Sequence, residues 1–279
     1  MKIHNNIKVY IIMNIKYGLF ILCLLMVCYF RYLCIHQLKK HRKISKVIHK
    51  IYIQHDNQFG HIPPEIQEAH ASWKQMNPDY TLKLYNGHDC ERYLLTHFGR
   101  KHLQTYNNIN AYSGKCNFMR TCIVYNEGGW YSDWKTVCLK PLDTLINDKT
   151  QLVLSHDSIR LKNEYNRTFI MNNFFGSVPK HKLLKENIKN IMKHVETRFY
   201  GDCPLDTTAT GCLGKSYDKI IDYDYDDSII EGQFDEESGC TIFFNDAWVL
   251  HKCAVCEKGQ NWKNGNNYND FWHSRTYYR

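Results

Sequence analysis

Short apolar runs and longer amphipathic stretches alternate along this chain. Lys46 to Gln54 is apolar and β-branched, which predicts a buried strand. From Glu65 to Met76 the residues Ile66, Ala69, Trp73 and Met76 recur at helical spacing, and Asn77-Pro78 stops the pattern. Tyr80 to Tyr85 alternates as a second strand, turned by Asn86-Gly87. Cys90 to Tyr106 reads as helical with a break near Gly99. Lys115 to Asn126 predicts a helix with a broad apolar face (Phe118, Met119, Cys122, Ile123, Val124), ended by Gly128-Gly129. A short aromatic strand, Trp130 to Asp133, follows. Further strands are expected over Gln151 to Ser155, leading into His156-Asp157, and over Phe169 to Phe175. Lys182 to Val195 predicts a helix with Leu183, Leu184, Ile188, Ile191 and Met192 on one side. The last third holds short strands, Thr241 to Phe244 and Trp248 to Leu250, and a polar Asn/Gly-rich tail. Strands alternating with helices imply an α/β layer fold.

The N-terminal segment has a different character. Gly18 to Phe30 is apolar and is followed by Arg31 to Ile35. A membrane span takes about 20 apolar residues, so residues 17–35 reach that length if Arg31 snorkels to the interface. The expectation is a single-pass anchor; a cleaved signal peptide and a buried helix are the alternatives. This gives a tail over 1–16, an anchor over 17–35, a basic tether over 36–45 and one folded domain over 46–279. Lys2, Lys8 and Lys16 precede the span, and Lys39, Lys40, Arg42, Lys43 and Lys46 follow it. Flanking charge alone would keep the body on the cytosolic side, whereas the sequon Asn166-Arg167-Thr168 points to a lumen, so orientation stays open.

Charge changes the picture once its position is known. The net charge is +8, but residues 1–50 hold 10 Lys/Arg and no Asp/Glu, leaving 26 Lys/Arg against 28 Asp/Glu in the remainder. The basic excess belongs beside the apolar run, where it suits anionic lipid headgroups, and the body is not a nucleic-acid binder. Of the 12 cysteines, Cys23, Cys28 and Cys34 lie in the apolar run, and an odd number with irregular spacing remains. Cys253-Ala-Val-Cys256, with His251 and Cys240 nearby, has zinc, a disulfide and free thiols open to it. Asp222 to Asp227 contains Asp-x-Asp twice, but no apolar strand precedes it, and it reads as a solvated acidic loop.

The candidate chemistry lies at Gly128-Gly-Trp-Tyr-Ser-Asp-Trp-Lys135. If the strand stays extended to its end, Asp133 and Lys135 project the same way and meet one ligand while Trp134 packs. The carboxyl end of such a strand is where open α/β sheets bind ligands. The plainer alternative is an exposed ion pair of little energetic consequence. Asp157 has two readings, a group facing the same crevice or a cap. His49 and Trp73 are expected in the core. His251 and His273 are late histidines with a metal role open to them.

Several stretches around this octapeptide resemble one family. Ser45 to Tyr52 resembles the opening Pro-Lys-x-Ile-His-Gln-x-Trp strand of the Asp-x-Asp sugar-binding glycosyltransferases, family 32, which includes relatives of the yeast Golgi initiating α-1,6-mannosyltransferase and capsular polysaccharide synthesis proteins. Trp73 with Asn77-Pro78-Asp79-Tyr80 resembles its helix-to-strand junction, Lys115 to Arg120 its Lys-x-Asp-x-x-Arg helix, Gly128 to Asp133 its Gly-Gly-x-Tyr-x-Asp, and Pro141-Leu142-Asp143 the follow-on. Asn172 to Ser177, Thr208 to Gly211, and Asn266 to Asn269 with Trp272 are similar more weakly.

The resemblance implies a GT-A-like single Rossmann-type domain with a mixed central sheet. It further implies a retaining enzyme that moves a hexose or N-acetylhexosamine from a nucleotide-diphosphate sugar to a glycan or glycoconjugate, in a Golgi/ER-type lumen or its equivalent. Carried over residue by residue, Tyr52 and Gln54 would border the base and ribose. Lys115, Asn117 and Arg120 would line the donor sugar and diphosphate. Asp133 would hold Mn²⁺ or Mg²⁺ or the ribose–diphosphate edge, with Lys135 beside it in the catalytic pair. Two departures bear on that expectation. Lys135 stands where the family has its second Asp, and Asn117 where it has the helix Asp. The site is less negative by about three charge units, which opens metal-independence, with the Lys135 ammonium on a diphosphate oxygen. It also opens a catalytically weak relative that binds sugar or nucleotide.

Overall fold

The computed structural model describes residues 18, 20–31, 43–53, 64–221, 228–235, 241–244, 247–251 and 266–279. The chain divides into two units, Met1–Arg42 and Lys43–Arg279. In the first, residues 20–31 are helical and expose large apolar side chains from Phe20 to Phe30. Among the described residues no helix is long and apolar enough to cross a membrane, so the anchor expected over 17–35 is not supported at that length.

The second unit is the α/β body. Its elements are β1 (Val47–Ile51), α1 (Pro64–Met76), β2 (Thr81–Tyr85), α2 (Gly87–His97), α3 (Arg100–Asn107), α4 (Tyr112–Glu127), β3 (Gly129–Ser132), β4 (Val137–Cys138), β5 (Leu152–His156), α5 (Ile159–Tyr165), β6 (Phe174–Ser177), α6 (Lys182–Thr197), α7 (Thr210–Ile221), β7 (Ile229–Asp235), β8 (Thr241–Phe244), β9 (Ala247–His251) and α8 (Tyr268–His273). One mixed sheet runs in the order β2-β1-β3-β6-β5-β7-β8-β9-β4. Strands β1, β2 and β3 are parallel, and β6 runs antiparallel between β3 and β5.

The alternation of side chains along β3 divides the core. Tyr131 packs with the α4 and α6 apolar residues, whereas Trp130 faces Trp73, Phe174 and Leu250 on the other side. Helix α4 lies across the first of these faces, with Phe118, Met119, Cys122, Ile123 and Val124 fully buried. The two glycines after it are required by geometry. Gly128 and Gly129 have φ of 71° and 87°. A Cβ at Gly128 would lie 2.7 Å from Pro179 Cδ, and one at Gly129 would lie 2.6 Å from the Val47 carbonyl. Only glycine takes that path without strain, and the chain passes from helix into the sheet interior there.

Three elements depart from the expected pattern. The strand expected over Phe169 to Phe175 starts at Phe174; the segment before it is buried chain tied to β5 by the single bridge His156–Ile170 and by Met171 N–H donating to Ser155 O at 2.8 Å. Helix α7 carries Gly211 and Gly214, poor helix formers that obscure its periodicity. Gly214 is tolerated because the Thr168 carbonyl packs where its Cβ would stand, 2.0 Å away. The Asn/Gly-rich tail forms α8 and docks on the body: Asn266 Oδ1 accepts from Tyr112 N–H at 2.6 Å, and Trp272 Nε1 donates to Tyr200 O at 2.8 Å.

Candidate functional site

Strand β3 ends at Ser132, and the next four residues form a turn. Thr136 N–H donates to the Asp133 carbonyl at 3.2 Å, closing Asp133-Trp134-Lys135-Thr136. This corrects the expectation that Asp133 and Lys135 share one face of an extended strand: they are the first and third residues of a turn. The turn forms because Thr136 satisfies the carbonyl twice, its Oγ1 also donating at 2.5 Å. Trp73 Nε1 donates to the Thr136 carbonyl at 2.6 Å and fixes the far end. Trp134 is buried as expected and stacks on His70, with ring centroids 5.4 Å apart.

The Asp133 carboxylate stands at the carboxyl edge of the sheet with its side chain 38% exposed. Its Oδ1 accepts from Tyr131 Oη at 2.7 Å and lies 2.9 Å from Arg120 Nη2. Arg120 is buried, with its guanidinium 4.4 Å from the Tyr131 ring centroid. It also donates to the Asn172 carbonyl at 2.5 Å and the Cys116 carbonyl at 3.3 Å. Arg120 thereby ties α4, the end of β3 and the segment before β6 together, and orients Asp133. The Asp133 N–H in turn donates to Asn173 O at 2.8 Å.

Beneath the turn lies Lys50 of β1, which is fully buried. Its Nζ donates to the Asp133 carbonyl at 3.0 Å and to Ser132 Oγ at 3.3 Å, and stands 4.6 Å from the Trp73 ring centroid. Burial pushes its pKa down to about 7, against the opposing pull of the Asp133 carboxylate. The same burial, reinforced by the Lys50 charge, lowers the His70 ring to about 4. Sequence reasoning misses Lys50 as a site residue, because a lysine inside a strand reads as a surface alternation. The signal that could have found it is a lone lysine between Ile48 and Ile51, in a run with no solvent-facing register.

The other expected site residues divide. Tyr52 is close, its ring 5.0 Å from that of Trp134. Lys115 leans away, with its ammonium 4.5 Å from the Tyr106 ring centroid and its pKa lowered by burial and by the charge of Arg279. Asn117 is buried, and its amide donates to Thr208 Oγ1 at 3.1 Å, a hydroxyl that also bonds Tyr277 Oη at 2.7 Å. Gln54 lies outside the described residues, as do Cys240, Cys253, Cys256 and the acidic run 222–227. Asp157 follows β5 and its Oδ1 accepts from Ser158 N–H at 2.8 Å; the cap of α5 is Ser158 itself, whose Oγ accepts from Arg160 N–H. His49 is the expected core histidine, between Tyr85 Oη at 3.2 Å and the Gly128 carbonyl at 3.1 Å.

As a metal site this donor set fits poorly. Mn²⁺ and Mg²⁺ take oxygen ligands and favour carboxylates. Here one carboxylate oxygen already takes a guanidinium and a phenol, and the remaining motif position is a lysine. Among the described residues no group of three or more His, Cys, Asp or Glu could hold an ion. As an anion site it is better furnished: Arg120 pairs with the Asp133 carboxylate, Lys50 holds the Asp133 carbonyl, and Lys135 follows two residues on in the same turn.

Residues 63–153 match the family described as glycosyltransferase sugar-binding region containing DXD motif. An uncharacterised glycosyltransferase of Acanthamoeba polyphaga mimivirus is 27% identical over 53% of this chain and 55% of its own length. Inositol phosphoceramide mannosyltransferase 1 of Schizosaccharomyces pombe is 30% identical over 37% of this chain and 29% of its own. The chain thus spans about half the length of the first relative and less of the second. The solved PaToxG glycosyltransferase shares the fold at a TM-score of 0.52 and 14% identity, over 67% of this chain and 76% of that one. The fold is thus α/β with a mixed sheet, shared with a solved glycosyltransferase. Within it, residues 63–153 are similar to the DXD-containing sugar-binding glycosyltransferase family.

Proposed function

We propose that the protein transfers a hexose or N-acetylhexosamine, with retention of configuration, from a nucleotide-diphosphate sugar to a hydroxyl of a glycan or glycoconjugate. The observation that supports this most is the Asp133–Thr136 turn. It carries one oriented carboxylate at the sheet edge and a lysine two residues on, at the sequence positions that resemble the family's Asp-x-Asp. In the reaction, the bond from the anomeric carbon to the diphosphate oxygen breaks and its electron pair leaves with the nucleotide diphosphate. The acceptor oxygen bonds to that carbon, and its proton passes to the leaving phosphate. Negative charge concentrates on the diphosphate as that bond breaks, so preorganised cations there lower the barrier.

Asp133 takes the ribose–diphosphate edge in this reading, and Lys135 donates to a diphosphate oxygen. Tyr52 and Gln54 border the base, and Asn117 lines the donor side. A mannosyl donor is the first candidate, after the name of the fission-yeast relative. The exposed apolar helix over 20–31 is the part of the chain that would meet a lipid surface.

A panel of nucleotide sugars, incubated with the full chain with and without Mn²⁺, tests the reading through donor hydrolysis. Turnover of one donor is expected. Lys135→Ala is expected to weaken binding of that donor by a factor corresponding to roughly 1.5–3 kcal/mol, with the melting temperature unchanged. A silent Lys135→Ala would remove the direct contact from the scheme. The lysine at the second Asp position also favours a second reading, a relative that binds donor without turning it over. Tight binding of a donor with no hydrolysis across the panel would select it.

A further inference from the structure

We propose that Lys50 is the fixed cation of this site: it pins the turn that carries Asp133 and Lys135, and it supplies from beneath the positive charge that a divalent ion would otherwise bring to a nucleoside diphosphate. Nucleotide binding is then independent of metal. The inference rests on the glycosyl-transfer reading and goes beyond it by assigning a residue outside the motif.

A buried ammonium is costly unless its surroundings use it. Its hydrogen-bond partners, the Asp133 carbonyl and Ser132 Oγ, are neutral groups at the edge of the candidate site. The indole of Trp73 faces it at 4.6 Å. The titratable groups whose charge acts on it are Asp133 and Cys138, and it acts in turn on His70. A neutral side chain would complete β1 equally well, and the resembling strand motif has glutamine at this position. The position is thus one where charge is not needed for the fold and is directed at the turn.

The same turn carries the second lysine. Arg120 pairs with the Asp133 carboxylate, whose Oδ1 is already engaged, and Lys50 holds the carbonyl of the same residue, so two cations flank Asp133. A cation entering this cluster meets repulsion. A diphosphate entering it meets an excess of positive charge, and in doing so strengthens the hold of Lys50 on its proton.

The test uses the full chain and measures binding of UDP and of GDP by calorimetry, in EDTA and in MnCl₂. Wild type is expected to bind one of them with the same Kd in both buffers. Lys50→Gln is expected to weaken binding in EDTA about tenfold or more while the fold stays as stable or gains stability. The double change Lys50→Gln with Lys135→Asp is expected to restore affinity only with Mn²⁺. Mn²⁺ paramagnetic resonance adds a measurement free of nucleotide: wild type should leave the aqueous signal intact, and the double variant should reduce it. Wild-type binding that requires Mn²⁺, or Lys50→Gln binding as well as wild type in EDTA, overturns the role of Lys50 and leaves glycosyl transfer standing. Wild type that binds neither nucleotide in either buffer overturns both.

Discussion

Two arginine–aspartate pairs in this molecule use the same chemistry for different ends. Asp206 is fully buried, and both its oxygens meet Arg167, at 2.5 and 2.8 Å. Its Oδ2 also accepts from the Asp202 and Cys203 backbone N–H groups, at 2.8 and 3.4 Å. Arg167 lies over the Phe169 ring at 4.6 Å. That carboxylate is closed off from solvent, and it fastens the chain ahead of α7 to the segment after α5. Asp133 meets its arginine through one oxygen, keeps 38% of its side chain exposed, and sits on a turn rather than inside one. A buried, paired carboxylate is a staple; one that is oriented but still open to solvent can take a ligand. The sequon Asn166-Arg167-Thr168 falls on the staple, where Asn166 ends α5 in a left-handed conformation with φ of 48°.

The same exchange at both aspartates is the sharpest way to break this contrast. Asp206→Asn should destabilise the fold by about 3–5 kcal/mol in urea unfolding, because Arg167 keeps its charge in a buried place without a counter-ion. A loss under about 1 kcal/mol would mean that the pair is not a staple.

Lys50→Met should act in the opposite direction. Removing a buried charge that has only neutral hydrogen-bond partners should stabilise the protein by about 1–4 kcal/mol near neutral pH. The sign with pH follows from the lysine pKa, about 7 in the fold against the ordinary 10.5. The unfolded chain binds more protons between those values, so wild-type stability rises with pH across that window. The gain from Lys50→Met should be full at pH 7 and below and shrink toward pH 10. Unfolding at pH 6, 8 and 9.5 would show it, and a gain that grows with pH would be inconsistent with a buried ammonium.

Asp133→Asn should have the smallest effect on stability, about 1–2 kcal/mol, since the carboxylate is 38% exposed and its pair with Arg120 is screened by solvent, whereas Asp206 is fully buried, and the introduced amide oxygen still accepts from Tyr131. Its effect should fall on donor hydrolysis, at roughly tenfold to a hundredfold. Equal damage to stability by the two Asp→Asn changes would erase the distinction between staple and site.

Much of the frame is legible in the residue pattern. Helix α4 is readable because its apolar positions are so dense, and Gly128-Gly129 marks its end because two glycines in a row rarely serve any purpose but backbone freedom. The Trp130–Asp133 strand follows from its aromatic residues. Less legible are α7, whose Gly214 is excused by the Thr168 carbonyl and whose Gly211 lies against Asp206, and α8, which is held by Asn266 just before it bonding to α4 and by Trp272 bonding to Tyr200. Arg120 is expected at the diphosphate; its geometry also holds Asp133 and Asn172, a use that depends on three segments meeting.

The sequence by itself determined the layer class, the order of the main elements, the core positions of His49 and Trp73, and the octapeptide that holds the candidate site. These follow from periodicity and from residue types with narrow uses, which act over a few neighbouring positions. Tertiary structure alone decided that Asp133 begins a turn, that Asp206 is closed off while Asp133 stays open, and that Lys50 lies under the site. Those outcomes depend on what is brought against each charged group from distant parts of the chain. The cost or use of a charge is set by its surroundings, and the surroundings exist only after the strands have paired.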